Sequence, residues 1–304
     1  MGPGDAGPAS RTGRTALTRR FTRFAAIDWS GQAVARPKGL AVAELVDGAP
    51  TLVEREGGWS RGAILERLAA LADEGADMLI GLDLSPALPF VDRGSYFPGW
   101  DASPGDARTL WAMVDAMATD DPHLAATSVV AHDELSRHFR RHRACGDLFG
   151  AGRGRLRVCE ERQLAAGLSP TSCFNLVGAA QVGKSSLTGM RVLHRLGGRL
   201  PIWPFDPVPE RGPVLVEIYT TIAARAAGVR RGLSKLRDAA SLDAALAVLG
   251  SPPHVAIKRY DDHATDALVS AAWLRGAAAD AGLWQPEGLT SEVARTEGWT
   301  FGVQ

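Results

Sequence analysis

The stretch RFAAIDWSG, residues 23–31, is the key to the fold, because it joins a short apolar run to an acid and a turn. Residues 24–27 have the length and composition of a buried β-strand, Asp28 ends that strand, and the Ser-Gly pair that follows predicts a turn. A second stretch, DMLIGLDLS at residues 77–85, repeats the design and ends its apolar run in Asp83. The sequence therefore predicts two strands that each end in a carboxylate.

The segments between these two strands predict how the strands are arranged. Residues 40–53 place two apolar runs around the turn sequence DGAP, which predicts a β-hairpin. Residues 59–75 carry apolar residues at helical spacing and end in Gly75, a typical helix stop. Hairpin-linked strands followed by a helical crossover imply a mixed sheet in which the first and fourth strands are adjacent and parallel. Asp28 and Asp83 then lie at the same end of neighbouring strands, where open α/β sheets place their sites.

The rest of the chain adds one more strand and a helix that carries acids. Residues 84–212 are rich in Gly, Pro, Arg and His and predict a long, mostly helical insertion. PVLVEIYT, residues 213–220, resumes the β pattern as a fifth strand with a third acid, Glu217. Asp262 and Asp266 stand four residues apart at the start of a later helix, so they share one face. We expect an α/β fold with three antiparallel strands, then parallel strands in the order 1-4-5, and helices on both faces.

Composition limits the class of protein. Residues 24–304 are expected to form one domain, preceded by a disordered Arg/Gly/Pro-rich tail, residues 1–23, that lacks the apolar core of a secretory signal. No apolar run reaches the roughly 18 residues that a membrane span needs. Three cysteines without a C-x-x-C pair argue against a disulfide framework or a zinc site. These features favour a cytoplasmic protein without a membrane partner, and they leave the oligomeric state open.

The acids are the strongest candidates for a functional site. Carboxylates that end neighbouring strands would converge, and they would then repel each other or take up protons. A hard divalent cation removes that cost, since Mg²⁺ and Mn²⁺ take carboxylate and water oxygens. Turns and helix N-termini also favour acids, so a purely structural role is the alternative for each one. We expect the metal ligands to be Asp28, Asp83, Glu217 and Asp266, with Asp262 as a further catalytic carboxylate. His263 lies between the acids and could assist proton transfer, although a lone histidine beside an aspartate is more often simply exposed.

The ordered set of motifs resembles a known family. AAIDWSG, IGLDLS, VEIYT and DDHATDALVSAAW, together with FNLVGAAQVGKSSLTGMRVLHRL and IWPFD, are similar to the domain of unknown function 429 family of predicted RNase H-like nucleases, over most of residues 24–276. The resemblance implies an RNase H-like fold, a predicted nuclease activity and acids at the positions given above. Thr220 departs from the family pattern, in which a proline follows the EIY run.

A phosphate-loop motif competes with this interpretation. It begins at Gly178, contains Lys184 and Ser185, and fits G-x-x-x-x-G-K-S residue for residue. A working phosphate loop needs a strand before it, for which CFNLV is the candidate, and a downstream strand ending in Asp, which is missing. The motif therefore favours a Gly-rich turn. In an intermediate interpretation, Lys184, Ser185 and Lys235 contact a substrate phosphate.

Three functions follow from these features. The first is a metal-dependent nuclease or phosphodiesterase that hydrolyses DNA or RNA with Mg²⁺ or Mn²⁺. Two basic runs, SRHFRRHRA at residues 136–144 and GRGRLR at residues 152–157, would bind a nucleic-acid backbone if they line the acidic site, although solvated surface is their commoner role. The second is a nucleotide-binding ATPase or kinase-like protein that uses residues 178–185. The third is a non-catalytic RNase H-like binding module.

Overall fold

The structure, a computed structural model, describes residues 21–46, 48–142, 144–177, 182–229 and 236–304. The predictions for residues 1–20, for the first four residues of the phosphate-loop motif and for Lys235 lie outside these ranges. Phe21 is buried against Trp284, with ring centroids 5.9 Å apart, and Thr22 donates its N–H to the carbonyl of Asp77. The fold therefore includes residues 21–23, which the sequence analysis assigned to the tail.

A six-stranded mixed sheet organises the molecule, and a separate two-stranded ribbon lies apart from it. The strands, in chain order, are β1 (Arg23–Asp28), β2 (Ala41–Val46), β3 (Thr51–Leu52), β4 (Met78–Asp83), β5 (Arg140–Arg141), β6 (Ala144–Cys145), β7 (Ile202–Trp203) and β8 (Val214–Glu217). The order in the large sheet is β3-β2-β1-β4-β8-β7, and β5 with β6 forms the ribbon.

The pairing directions agree with the predicted arrangement. β2 pairs antiparallel with both β1 and β3, and β1 pairs parallel with β4. β4 in turn pairs parallel with β8, the strand that the sequence predicted as the fifth. The predicted adjacency of the first and fourth strands is confirmed, and with it the α/β class.

The helices cover both faces of the sheet. They are α1 (Arg61–Glu74), α2 (Ala107–Met117), α3 (Thr127–Ala131), α4 (Asp133–Ser136), α5 (Val158–Ala165), α6 (Val182–Arg195), α7 (Thr220–Ala226), α8 (Ala239–Val248), α9 (Asp262–Ala277), α10 (Ala281–Trp284) and α11 (Ser291–Thr296), with a 3-10 turn at Pro122–Leu124. None of the helices within the described ranges is long and apolar enough to cross a membrane.

Two hydrophobic cores form because side chains alternate along each strand. On one face of β1, Ala25 and Ile27 belong to the core that contains α1 and α6; on the other, Phe24 and Ala26 belong to the core that contains α9. α1 ends as predicted at Gly75, which adopts the left-handed conformation with φ 64°. The sheet is thus buried on both faces, and only its strand ends remain for a site.

Helices account for fewer than half of the residues in the insertion between β4 and β8, so the prediction of a mostly helical insertion is wrong, and the insertion also ends earlier than expected. It contains α2 to α6 and the β5–β6 ribbon, and β7 at residues 202–203 already belongs to the sheet. Pro201 and Pro204 flank these two residues, and their presence argues against a strand when only the sequence is considered. They are tolerated because β7 is an edge strand, where one row of backbone groups needs no ladder partner.

Substitution of Gly81 in β4 tests how tightly the sheet packs against its neighbours. A Cβ at this position would lie 2.7 Å from Cγ2 of Ile218, whereas a Cβ on Gly276 in α9 would meet no heavy atom within 4 Å. We expect Gly81→Ala to lower the free energy of unfolding by about 1–3 kcal/mol through overpacking. Gly276→Ala is expected to raise it by about 0.5–1 kcal/mol, because alanine is the better helix former. Urea denaturation of both variants measures the difference, and equal midpoints would contradict the packing described for β4.

Candidate functional site

Asp28 and Asp83 face each other across two neighbouring strands. They are register partners at the carboxyl ends of β1 and β4, as the sequence predicted. Both line a cleft of about 510 Å³, and Asp28 is only 7% exposed. The two carboxyl groups are close enough for each to shift the pKa of the other. The strand ends thus place two like-charged groups in contact at the floor of an open cleft.

Burial and mutual repulsion dominate the electrostatics of this pair. Burial raises the pKa of Asp28, although its hydrogen bond to His263 opposes that shift. For Asp83, burial and then the charges of Asp28, Asp266 and Glu217 raise the pKa well above its ordinary value. In the described part of the chain, neither carboxyl group forms an ion pair with a lysine or arginine. The surroundings of the pair therefore disfavour the ionised form of both carboxyl groups.

Thr220 is a further neighbour of Asp83, and its hydroxyl lies 3.5 Å from Oδ2 of that carboxyl group. Its backbone N–H donates a hydrogen bond to Asp83, and this bond lowers the pKa of that carboxyl group. Thr220 is the first residue of α7, so its N–H has no acceptor within the helix. A proline at position 220 would have no N–H and would leave Asp83 without this donor.

His263 completes the group around Asp28. Its Nδ1 lies 2.7 Å from Oδ2 of Asp28, and the side chain, on the first turn of α9, is 46% exposed towards the cleft. The hydrogen bond to Asp28 is the main cause that raises the pKa of His263 above its usual range. An imidazole with one nitrogen fixed on a carboxylate and one side open is suited to proton transfer.

Glu217 lines the same cleft but is already neutralised. Arg157 donates from Nη1 to Oε2 at 2.8 Å and from Nη2 to Oε1 at 2.5 Å, and Thr300 donates its hydroxyl to Oε1 at 2.7 Å. Arg157 is 1% exposed and also contacts Glu160 at 3.0 Å. A carboxylate that accepts three such bonds is held in place and keeps few lone pairs for a cation.

The C-terminal segment of the chain fixes this ion network. Arg157 donates to the carbonyl of Glu297, and the Glu297 carboxylate accepts the N–H groups of Phe90, Val91 and Val158. Residues 297–301 also lie along β8, where the N–H of Phe301 donates to the carbonyl of Glu217. The floor of the cleft is therefore assembled from distant parts of the sequence.

The remaining acids differ in what surrounds them. Asp262 pairs with Arg237 at 2.9 Å, and Asp261 caps α9 by accepting the N–H of Ala264. Asp266 lines the cleft, and its charge acts on Asp83. As the side chains stand, no three His, Cys, Asp or Glu residues of the described ranges are grouped so as to hold a metal ion. The predicted cage of four carboxylates is not formed.

The donor set fits a smaller role for a divalent cation. Mg²⁺ is commonly held by one or two carboxylates and completes its shell with water and substrate oxygens. Asp28 and Asp83 offer such a pair, and a cation there would offset the repulsion that raises the pKa of Asp83. The residues thus fit a cation held by these two carboxyl groups, with Glu217 supporting the cleft through Arg157.

The phosphate-loop residues lie at the rim of the same cleft, but the motif lacks its expected context. α6 begins at Val182, and Lys184 and Ser185 on its first turn line the cleft. A Cβ on Gly31 would lie 2.3 Å from the backbone of Lys184, so only glycine lets the turn after Asp28 approach the helix this closely. The candidate strand before the motif, residues 173–177, forms a turn with one isolated bridge, from Asn175 to Arg140. No strand of the described chain leads into this loop.

The two basic runs divide into paired and unpaired cations. Arg137, Arg155 and Arg157 are held by carboxylates. Arg140 and Arg153 line a hollow that shares Ser169, Pro170 and Thr171 with the acidic cleft, and Arg141 lines another that shares Gly31 and Lys184 with it. These three arginines form no ion pair with a carboxylate of the described chain.

Arg157 is the site residue that the sequence analysis did not find. The run GRGRLR marks it only as one of several surface cations, whereas its side chain is buried beneath the cleft. The one local signal is Glu160 three residues later, whose carboxylate accepts both the N–H of Arg157 and its Nε–H. Its pairing with Glu217 depends on the tertiary fold and has no signature in spacing.

Comparison of the chain with protein-family models, with curated proteins and with solved structures gives no match. The family resemblance and the activity that it implies therefore stay predictions.

Asp83→Asn is expected to stabilise the protein increasingly as the pH rises above about 4. The pKa of Asp83 is raised in the folded state, so the folded wild type holds a proton that the unfolded chain releases. Wild-type stability then falls as the pH rises through the interval between the two pKa values, and asparagine, which cannot ionise, removes that loss. Urea denaturation across a pH series measures the effect.

Asp73→Asn is the matched control, since Asp73 is 70% exposed and pairs with Arg199 at the surface. It is expected to change stability by less than about 1 kcal/mol. If the free energy of unfolding depends on pH in the same way for the wild type and for Asp83→Asn, the pKa of Asp83 is not raised in the folded state.

Proposed function

We propose that the protein is a metal-dependent phosphodiester hydrolase that acts on nucleic acid and is built on an RNase H-like sheet. The observation that carries the proposal is the Asp28–Asp83 pair. Asp28 is buried and Asp83 is half-buried, the two are adjacent in register and line one cleft, and the charge of Asp28 helps to raise the pKa of Asp83. Perturbed carboxyl groups that converge in a cleft are typical of catalytic sites.

The fold class supports this proposal. The order β3-β2-β1-β4-β8, with an antiparallel hairpin followed by parallel strands and with α9 packed on β1 and β2, is the arrangement that the family resemblance implies. Both acids lie at the carboxyl ends of parallel strands, the usual position of sites in open α/β sheets.

Asp28 and Asp83 would hold Mg²⁺ or Mn²⁺. When bound, such an ion supplies charge stabilisation to a phosphoryl group under attack and lowers the pKa of a nearby water molecule. The chain contributes the rest. Thr220 donates its N–H to Asp83 and favours the ionised form that a cation needs, and Asp28 fixes the orientation of His263.

The proposed reaction is hydrolysis. A water oxygen bonds to phosphorus, the bond between phosphorus and the leaving sugar oxygen breaks, and that oxygen takes up a proton. His263 is positioned to accept the proton that the water loses, because one ring nitrogen is bound to Asp28 and the ring faces the cleft. Lys184 at the rim attracts the phosphate.

The cations beside the cleft favour a polymeric substrate. Arg140 and Arg153 lie on one side of it and Arg141 on another, in hollows that share lining residues with the cleft. Phosphates bound by such side chains release counterions, which gives affinity independent of base sequence.

Cleavage of a labelled oligonucleotide tests the proposal. Wild type is expected to cleave single-stranded DNA or RNA with Mg²⁺ or Mn²⁺ and to stop when EDTA is added. Asp83→Asn is expected to slow cleavage about 100-fold or more, since loss of a metal ligand costs several kcal/mol of charge stabilisation. Asp73→Asn should cleave at the wild-type rate. Calorimetry with Mn²⁺ should show binding by the wild type and by Asp73→Asn only.

Because Asp83→Asn is expected to be the more stable protein, its lost activity cannot be ascribed to unfolding. The proposal fails if pure wild-type protein neither binds Mn²⁺ nor cleaves either nucleic acid.

The salt dependence of oligonucleotide binding tests the role of the unpaired arginines. Arg140→Gln and Arg153→Gln are each expected to reduce the slope of log K against log salt by about 0.7–0.9, the value for one phosphate contact. Arg137→Gln in the same basic run is the control, because Arg137 is held by Asp147 and Glu134. Fluorescence anisotropy with EDTA present separates binding from cleavage. Equal slopes for all three variants would place the nucleic acid elsewhere.

A further inference from the structure

A second cavity, of about 300 Å³, lies on the far side of the loop that follows Asp28. It is bounded by the N-terminus of α1, by the turn at Pro122–Leu124 and by α6. Three arginines line it, Arg61, Arg191 and Arg195, and none of its lining residues belongs to the acidic cleft. The proposed hydrolase activity makes no use of this cavity.

Positive charge exceeds negative charge around the cavity. Arg191 donates from Nε to Asp115 at 2.8 Å, and Arg195 contacts the same carboxylate at 3.0 Å. Asp121 lines the cavity, but its carboxylate accepts the N–H and the hydroxyl of Ser128. One carboxylate therefore serves two guanidinium groups, and the third, on Arg61, has none among the described residues.

Arg61 is the least satisfied of the buried arginines. Its side chain is 1% exposed and donates to three carbonyl oxygens, those of His123, Ser30 and Gln32, each at 2.9 Å. Its Nη2 is buried and has no acceptor in the described structure. Burial, together with repulsion from Arg191, lowers the pKa of Arg61 to about 10. Arg61 therefore brings to the cavity wall a buried positive charge that no carboxylate of the described residues balances, and such a charge is costly unless an anion compensates it.

The N-terminus of α1 adds donors on the same side. Ser60 caps this 14-residue helix by accepting the N–H of Ala63, which leaves the N–H groups of Arg61 and Gly62, the first two of the helix, without partners inside it. Ser60 and Gly62 both line the cavity. Helix N-termini favour anions through these amides and through the helix dipole.

We propose that this cavity binds a small oxyanion of the phosphate class, as inorganic phosphate or as the phosphate group of a mononucleotide. Arg61 and the first amides of α1 supply its inner donors, and Arg195, which is 39% exposed, supplies the outer charge. Since Nη1 of Arg61 also holds the carbonyl groups of Ser30 and Gln32, an occupant that fixes Arg61 also fixes the loop beside the acidic cleft.

Calorimetric titration with inorganic phosphate tests the proposal, with EDTA present and at low ionic strength in chloride buffer. Wild type is expected to bind phosphate saturably, and Arg195→Gln to bind it about tenfold more weakly through loss of one charge-assisted hydrogen bond. Arg199→Gln is the matched control and should stay within about twofold, because Arg199 pairs with Asp73 outside the cavity. Adenosine 5′-monophosphate as a second titrant distinguishes a free anion from a phosphate group on a larger ligand.

Two further variants make the outcome decisive. Arg61→Gln is expected to abolish binding; if circular dichroism shows that it does not fold, the comparison of Arg195→Gln with Arg199→Gln decides. Asp83→Asn should bind phosphate like the wild type, whether or not the protein is a hydrolase. The proposal is overturned if wild type binds no phosphate at millimolar concentration, if Arg195→Gln and Arg199→Gln bind alike, or if only Asp83→Asn loses binding.

Discussion

The parallel, in-register pairing of β1 with β4 is the constraint on which the site depends. It sets Asp28 opposite Asp83 at the sheet end, and burial on both faces leaves the two carboxyl groups no route to solvent except the cleft. The fold therefore maintains an electrostatic cost, seen in the raised pKa of both groups, that in our proposal a cation relieves. The N–H of Thr220 and the ring of His263 are arranged around this pair and each stabilises one member of it.

In the other half of the cleft, an arginine balances the charge of the carboxylate. Glu217, one strand further along the sheet, meets Arg157 and Thr300, so its charge is balanced within the protein. Arg157 is itself fixed by Glu160 and by the carbonyl of Glu297. Buried ion pairs of this kind contribute little net stability but are strongly destabilising when broken. One side of the cleft is thus held in place and neutral, whereas the two carboxyl groups on the other side have no arginine or lysine partner among the described residues.

Local sequence was enough to predict most of the sheet and the position of its acids. Strand-length apolar runs, a hairpin turn and a helix ending in Gly75 lead to the 3-2-1-4 order, and that order places Asp28 beside Asp83. β7 escaped prediction because its two residues lie between prolines, and an edge strand needs little propensity of its own. The partners of Glu217 escaped because they come from residues 157 and 300, and long-range ion pairing leaves no periodic pattern in sequence.

The cavity at Arg61 illustrates the same limit. Its arginines come from α1 and α6, and nothing in either segment separates Arg61, which has no carboxylate among the described residues, from the paired Arg191. The two arginines differ in their tertiary contacts. Arg61 lies at a helix N-terminus and donates to three backbone carbonyl groups, whereas Arg191 shares Asp115 with Arg195. Charge composition, balanced over the whole chain at 34 basic and 34 acidic residues, conceals such local excess.

The tie between Arg157 and Glu297 spans 140 residues of sequence and has a consequence for biosynthesis. On the ribosome, β1, β2, β3 and β4 emerge first and can pair at once, whereas Glu217 receives the hydroxyl of Thr300 only after the 83 residues up to Thr300 have been added. A nascent chain accordingly carries the two strand-end acids without the wall that completes their cleft. Completion of the cleft wall therefore waits for a segment that is synthesised long after the strands that carry the two acids.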